Sequence, residues 1–349
     1  MIKERHFGLD IVRAFAISIV LLQHSNVISQ FIPYNLPNFI TELKIPDGVD
    51  LFFVLSGFLI GRILLKTDLG NLSSIIKFWK RRLLRTLPNY FLFLIINLIL
   101  LLLKISPGLL SHAVLYYFVF LQNFHKPVDV FFWESWSLCI EEWFYFLFPL
   151  SLLLLNKLNS KKNSIYITCI ILFFIFSVGT KFQYINTHQI IDLDLYLRKL
   201  AITRFDILCF GLFLALLELT NSILLKKAKW VGLMLFFSYL FYGSKPLGNN
   251  LYILHFIYSA LACSGLLIFC YNYKNGNKYL TNCIEFISKI SYSMYLVHLP
   301  VLYILNYFVS KDYSSMPITY FFSYIFVVVS LSYLNYKYFE MYFLKLRNS

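Results

Sequence analysis

The sequence predicts an all-α fold: a polytopic integral membrane protein of about ten transmembrane helices, with one short segment that does not span. Three observations carry this expectation. Hydrophobic residues make up 59% of the 349 positions and charged residues only 14%, a balance foreign to water-soluble domains. Apolar runs of about 17 to 25 residues, the length a bilayer requires, recur along the whole chain. The basic excess, 31 Lys and Arg against 17 Asp and Glu, clusters between those runs, where cytoplasmic loops hold it. The formal charge of +14 is therefore topogenic, and nucleic acid is not an expected partner.

The runs lie at 9–28, 48–66, 83–104, 137–155, 164–180, 203–220, 250–271, 290–309 and 315–338, with a shorter one at 229–243. Each is helical on this reading, because lipid leaves backbone groups no partner but one another. The 109–124 segment, between Pro107 with Gly108 and Pro127, is ambiguous by length, and charge decides it. The basic loops at 3–5, 66–85, 157–162, 226–229, 274–289 and the tail with Lys345 and Arg347 share the cytoplasmic side only if 109–124 does not cross. Both termini are then cytoplasmic. With no repeat, linker or appended soluble region in view, residues 1–349 form a single membrane domain. The N-terminus has the basic start of a signal peptide but no small-residue cleavage site, and it reads as a retained first helix.

Several runs hold residues that lipid excludes. GLDIVRAFAISIVLLQHS, residues 8–25, carries Asp10, Arg13 and His24. A charge inside a span costs roughly 2.5 to 3.5 kcal/mol, so Arg13 and His24 require partners or a wet cavity. At about 100° per residue they share one helix face, about 16 Å apart along the axis. The imidazole of His24 is suited to taking a proton from a hydroxyl at neutral pH; a satisfied interfacial histidine is the plainer alternative. Asp10 caps the helix or pairs with Arg13. In DGVDLFFVLSGFLIG, residues 47–61, Asp50 sits at the depth of His24, where a carboxylate can orient an imidazole. Ser56 and Gly57 fit close helix packing.

FWKRRLLRTLPNYF, residues 78–91, places Arg81 and Arg85 on one face with Arg82 flanking it. Such a cluster is either a clamp for a nucleotide pyrophosphate or a topogenic group touching lipid headgroups. WESWSLCIEEWFYFLFPL, residues 133–150, brings Glu141 and Glu142 one turn into a span, where one of them can face His24. Its Trp133, Trp136, Trp143 and Tyr145 form an interfacial belt or a stacking surface for sugar rings. Arg204, Asp206 and His298 are further costly polar groups; His298, ahead of Pro300, is placed to bond a carbonyl that the proline frees. The six cysteines show no CxxC spacing, and neither the histidines nor HExxH, GxSxG or Walker patterns mark a metal or nucleotide site. No metal is expected.

Taken together these blocks resemble the acyltransferase 3 family, bacterial membrane O-acyltransferases acting on cell-surface glycans, over nearly the whole chain. The family's LDxxRAxAxxxVxxxH is matched by Leu9, Asp10, Arg13, Ala14, Ala16, Val20 and His24, and its GVDLFFVLSGFLI by Gly48 to Ile60. RRxxRxxPxY corresponds to Arg81, Arg82, Arg85, Pro88 and Tyr90; WSLxxEExFYxxFP to Trp136 to Pro149; SYSxYLxHxP to Ser291 to Pro300. Cys139, Trp143 and Met341-Tyr342 after Glu340 depart from the family pattern and bear on acceptor choice more than on chemistry.

The resemblance implies ten spans, an acyl-CoA donor from the cytoplasm and a glycan hydroxyl acceptor on the outer side. It implies an inner-membrane O-acetyltransferase that moves an acetyl or other short acyl group to a cell-surface or lipid-linked polysaccharide such as O-antigen, capsule or exopolysaccharide. On that basis His24 is the catalytic base, oriented by Glu141 or, second, by Asp50. Arg81, Arg82 and Arg85 hold the CoA phosphates, the pantetheine arm passes Arg13, and Glu142 and His298 complete the substrate-binding candidates. The rival class is a transporter or flippase for a glycan intermediate, which performs no acyl transfer and has no need of an arginine clamp.

Overall fold

The computed structural model describes residues 6–25, 44–68, 70–127, 130–157, 161–187, 194–243, 251–274, 276–308 and 317–346. These form thirteen α-helices and two π-helical turns. The basic residues Lys3, Arg5 and Arg347, and His188, lie outside the described residues.

Helix α1, Phe7–His24, and α2, Gly48–Leu64, carry the first two motif blocks. Asp47 caps α2, its carboxylate accepting from Val49 N at 2.7 Å. Helix α3 runs without a break from Leu72 to Leu102, through Pro88, with Asn71 accepting from Ser73 N at its start. The arginine cluster thus lies on a helix that begins ahead of the apolar run, not in the preceding loop. The 109–124 segment folds as turns around α4, Val114–Phe118, which at five residues is far too short to cross a bilayer.

Helices α5, Ser135–Asn156, and α6, Lys162–Thr187, are followed by a π-helical turn at Asp194–Arg198. Then come α7, Phe205–Thr220; α8, Ser222–Lys227; α9, Lys229–Tyr242; and α10, Leu251–Tyr271. Helix α11, Lys278–Phe308, holds the last motif block. Helix α12, Pro317–Asn335, the second π-helical turn, Tyr336–Glu340, and α13, Met341–Leu346, close the described chain.

The expectation of about ten spans is corrected by the structure. Among the described residues five helices are long and apolar enough to cross a membrane: α1, α3, α5, α6 and the Tyr252–Tyr271 stretch of α10. The apolar runs at 48–66, 203–220 and 229–243 yield helices of only 17, 16 and 14 residues, because flanking residues belong to caps and turns. In α11 the apolar residues are diluted by Ser291, Tyr292, Ser293, Tyr295, His298 and Asn306. The surface still carries large apolar side chains, among them Phe176, Met234 and Phe326 at 50%, 69% and 73% exposure, as a lipid-facing wall requires. The chain is a membrane protein.

The centre of the molecule is set by a close crossing of α2 and α7. A Cβ on Gly57 would overlap the Leu208 carbonyl oxygen, and one on Gly211 that of Val54. Only glycine lets the two backbones meet there, the small-residue packing that substitutes for hydrophobic drive in lipid. Helix α1 packs on α2 and α10 on both members of the pair; α11 lies against α1, where Asp10 accepts from Ser288 of α11 at 2.6 Å. The site is built where α1, α2, α3, α5 and α11 converge.

Candidate functional site

Two cavities lie between these helices. The first, about 90 Å³, is lined by Arg13 of α1, Arg82, Arg85 and Thr86 of α3, Glu141 and Ser137 of α5, and Ser291, Tyr292 and Tyr295 of α11, with Val49 and Phe52 of α2. Three guanidinium groups from two elements therefore face one space. Arg13 also pairs with Asp10 at 3.1 Å, and the Arg82 guanidinium lies 4.2 Å from the Tyr145 ring centre, a cation–π contact that fixes its direction. Arg81 is exposed and does not line the cavity. The lining pair is Arg82 with Arg85, three residues apart, rather than Arg81 with Arg85, because the α3 face carrying Thr86 and Asn89 is the one buried against α5 and α11.

Hydrogen bonds hold that face in place. Thr86 Oγ1 donates to Glu142 at 2.7 Å, and Tyr292 Oη donates to Thr86 O at 2.8 Å. Asn89 Nδ2 and Ser293 Oγ donate to the buried Glu340 carboxylate at 3.1 and 2.8 Å. The two adjacent glutamates diverge: Glu141 lines the arginine cavity, while Glu142 lines an apolar surface groove with Trp143 and Phe146.

The second cavity, about 80 Å³, contains His24, His298, Glu134, Trp133, Trp136, Asp47, Arg198 and Lys199. Val49 and Tyr295 line both cavities, so the arginine side and the His24 side approach each other at these two side chains. Tyr295 Oη donates to Glu134 O at 2.9 Å and shares a 2.7 Å hydrogen bond with Ser137. His24 and Trp133 also line a cleft of about 340 Å³ with Gln23, Pro107, Val130, Leu299 and Tyr303. His24 thus has an open cleft on one side and the Tyr295 side chain, facing the arginine cavity, on the other.

The imidazole of His24 is held through Nδ1, 2.9 Å from Val20 O. A carbonyl only accepts, so Nδ1 carries the hydrogen and Nε2 presents a lone pair, the form a general base needs. The expected orienting carboxylates do not make this bond. Glu141 lies on the arginine side, and Asp50 is engaged elsewhere: it accepts from Arg204 and, at 2.7 Å, from Ser259 Oγ. That pair belongs to a buried ionic cluster with Lys181 and Asp206, all four residues at most 3% exposed. Phe256 packs under both cations at 4.9 and 5.0 Å.

His298 stands beside His24 with ring centres 5.0 Å apart, edge to face. Its Nδ1 lies 2.6 Å from Tyr295 O, not from Leu296 O, the carbonyl that Pro300 frees by lacking a hydrogen. Glu134 was absent from the sequence candidates because it precedes its helix and matches no spacing rule. It is 2% exposed, and neither carboxyl oxygen has a hydrogen-bond partner. Asn97 lies beside it: one hydrogen of its Nδ2 goes to Phe93 O at 2.9 Å, and the other is left for a long contact with the Glu134 carboxyl. Burial pushes the Glu134 acid up to about 8, favouring the protonated carboxyl. Arg198 and Lys199 are paired with Asp47 and Asp194. Among the described residues no group of three or more His, Cys, Asp or Glu side chains could hold a metal ion.

The acyltransferase domain family model matches residues 6–337. The O-acetyltransferase OatA of Staphylococcus aureus strain NCTC 8325 is 33% identical over 172 residues, which is 45% of this chain and 26% of that protein. The same values hold for OatA of strains COL and Mu50. The match thus spans about a quarter of the length of these curated relatives. No solved structure matches the chain.

Proposed function

From the chain's membership of the acyltransferase domain family, we propose that it is a membrane O-acetyltransferase moving an acetyl or other short acyl group from acyl-CoA to a hydroxyl of a cell-surface or lipid-linked polysaccharide. The observation that carries the reading is the pair of cavities meeting at Val49 and Tyr295, one lined by arginines and the other by His24. Guanidinium groups bind phosphate bidentately. Arg82 and Arg85 hold the CoA phosphates, Arg81 stands at the rim, and the pantetheine arm passes Arg13 towards the Tyr295 wall. Glu141 and Glu142 contribute on this donor side. The arginine side faces the cytoplasm of the plasma membrane, and the open cleft beside His24 admits the glycan.

At the wall the acceptor hydroxyl oxygen bonds to the thioester carbon while its proton passes to His24 Nε2. The C–S bond then breaks, and the coenzyme A thiolate leaves with that proton. Positioning both reactants between fixed helices supplies much of the acceleration. Replacement of His24 by Ala is expected to abolish acetylation, read by mass spectrometry of the surface glycan, while the variant inserts and unfolds like the wild type. A surface glycan still carrying one acetyl per repeat in that variant would refute the assignment.

A further inference from the structure

The cavity behind His24 concentrates hydrogen-bonding capacity that the fold itself does not use. His298 is fully buried, and with Nδ1 committed to Tyr295 O its Nε2 lone pair has no partner. Glu134, from the start of another helix, contributes two buried carboxyl oxygens to which its polar neighbour Asn97 makes no bond of ordinary geometry. His24 adds a third group, its own Nε2 freed by the Val20 bond. Native interiors rarely leave such groups unanswered, and where they do a ligand commonly completes them. The cations in the same cavity do not answer them, since Arg198 and Lys199 are paired with Asp47 and Asp194.

Two imidazole lone pairs and a carboxyl group suit a ligand that brings hydroxyl hydrogens, not a phosphate or a carboxylate. The two ring centres stand 5.0 Å apart, near enough for two hydroxyls of one sugar, those on neighbouring carbons being the most compact pair, to reach both imidazoles. The cleft shared through His24 and Trp133 supplies the way in, with an indole as one wall. Resting on the acyl-transfer reading above, we propose that this cavity reads a vicinal diol: His24 takes the proton of the hydroxyl that is acylated, while His298 and Glu134 bind the hydroxyl on the adjacent carbon. The enzyme therefore selects acceptors with a free neighbouring hydroxyl and discriminates against isolated alcohols, since an acceptor lacking it leaves buried groups unpaired.

The test uses the full chain purified in detergent with acetyl-CoA, following free thiol with no acceptor, with cyclohexanol and with cis-1,2-cyclohexanediol. Basal thiol release is expected in the wild type, with the diol stimulating at least about tenfold more than the mono-alcohol, the effect of one hydrogen bond to a buried group. In His298→Phe the ratio between the two alcohols is expected to fall to about one, and His298→Gln, whose amide oxygen accepts a hydrogen bond, to regain part of it. Glu134→Ala reads the same ratio from the other side of the cavity should His298→Phe fail to fold. Equal stimulation by both alcohols, stimulation by neither, or a preference that survives these replacements overturns the diol subsite while leaving acyl transfer standing. A wild type that releases no thiol from acetyl-CoA removes the acyl-transfer reading, and the subsite with it.

Discussion

His24 shows how far a single residue's chemistry can be read before its neighbours are known. Its type, its depth in an apolar run and its register with Arg13 mark it from sequence, because an ionisable group at that position is costly unless it is used. What sequence does not contain is the partner, since hydrogen bonding here is decided by residues remote along the chain or by the helix's own carbonyls. Asp50 illustrates the same limit. Its depth in the sequence suits an orienting group for His24, yet its partners are Arg204 and Ser259, 154 and 209 residues away. The structure makes Arg204 and Asp50 a stability pair. Arg204→Met leaves Asp50 buried without its cation and is expected to cost about 3 to 5 kcal/mol, whereas Arg204→Met combined with Asp50→Leu should cost much less. Unfolding of both variants in detergent against wild type checks this; an equal loss in the two would place the cost in packing instead.

At the scale of the element, helix α3 decides which arginines matter. Sequence spacing allows either Arg81 or Arg82 to accompany Arg85, since residues three and four apart share a helix face equally well. Packing separates them: the buried face carries Thr86, Asn89 and Tyr90, and Arg82 and Arg85 lie along it while Arg81 faces outward. The proposed clamp thus assigns unequal weight to three adjacent charges. Arg82→Ala with Arg85→Ala is expected to raise KM for acetyl-CoA by at least about tenfold, as loss of charge-assisted phosphate contacts would, with kcat changed far less. Arg81→Ala is expected to leave KM within about twofold, a surface charge being worth under about 1 kcal/mol. Steady-state thiol release measures both; an unchanged KM in the double replacement would make the cluster topogenic, and a larger effect at Arg81 would move the clamp to the outward face of α3. Element lengths were less legible than element positions. The apolar runs locate every long helix, but hydropathy alone cannot tell where a cap or turn such as Thr203-Arg204 ends a run, and the span count was overstated for that reason.

At the scale of the whole molecule the arrangement amounts to two chambers with a shared wall, and no local pattern in the sequence announces it. Val49 comes from α2 and Tyr295 from α11, 246 residues later, and neither motif pairs it with the other; the packing of five helices brings them to the border between arginines and imidazole. A reaction between a donor held on one side and an acceptor held on the other has to pass that partition. Val49→Trp adds an indole at the partition and leaves the arginines and both histidines unreplaced. Acetyl-CoA affinity, measured by calorimetry, should then stay within about threefold of wild type, well under the tenfold that 1.4 kcal/mol represents. Acyl transfer should fall by about a hundredfold, because reacting atoms displaced by an ångström or more lose the advantage of proximity. Modification of His24 by diethyl pyrocarbonate, which enters through the open cleft, should proceed at the wild-type rate. If transfer survives the indole, the thioester reaches His24 by a route other than the Tyr295 wall. If CoA binding is lost along with transfer, the donor already occupies the partition in the ground state. The three measurements together separate a blocked passage from a displaced donor and from a misfolded protein, which a single loss of activity would not.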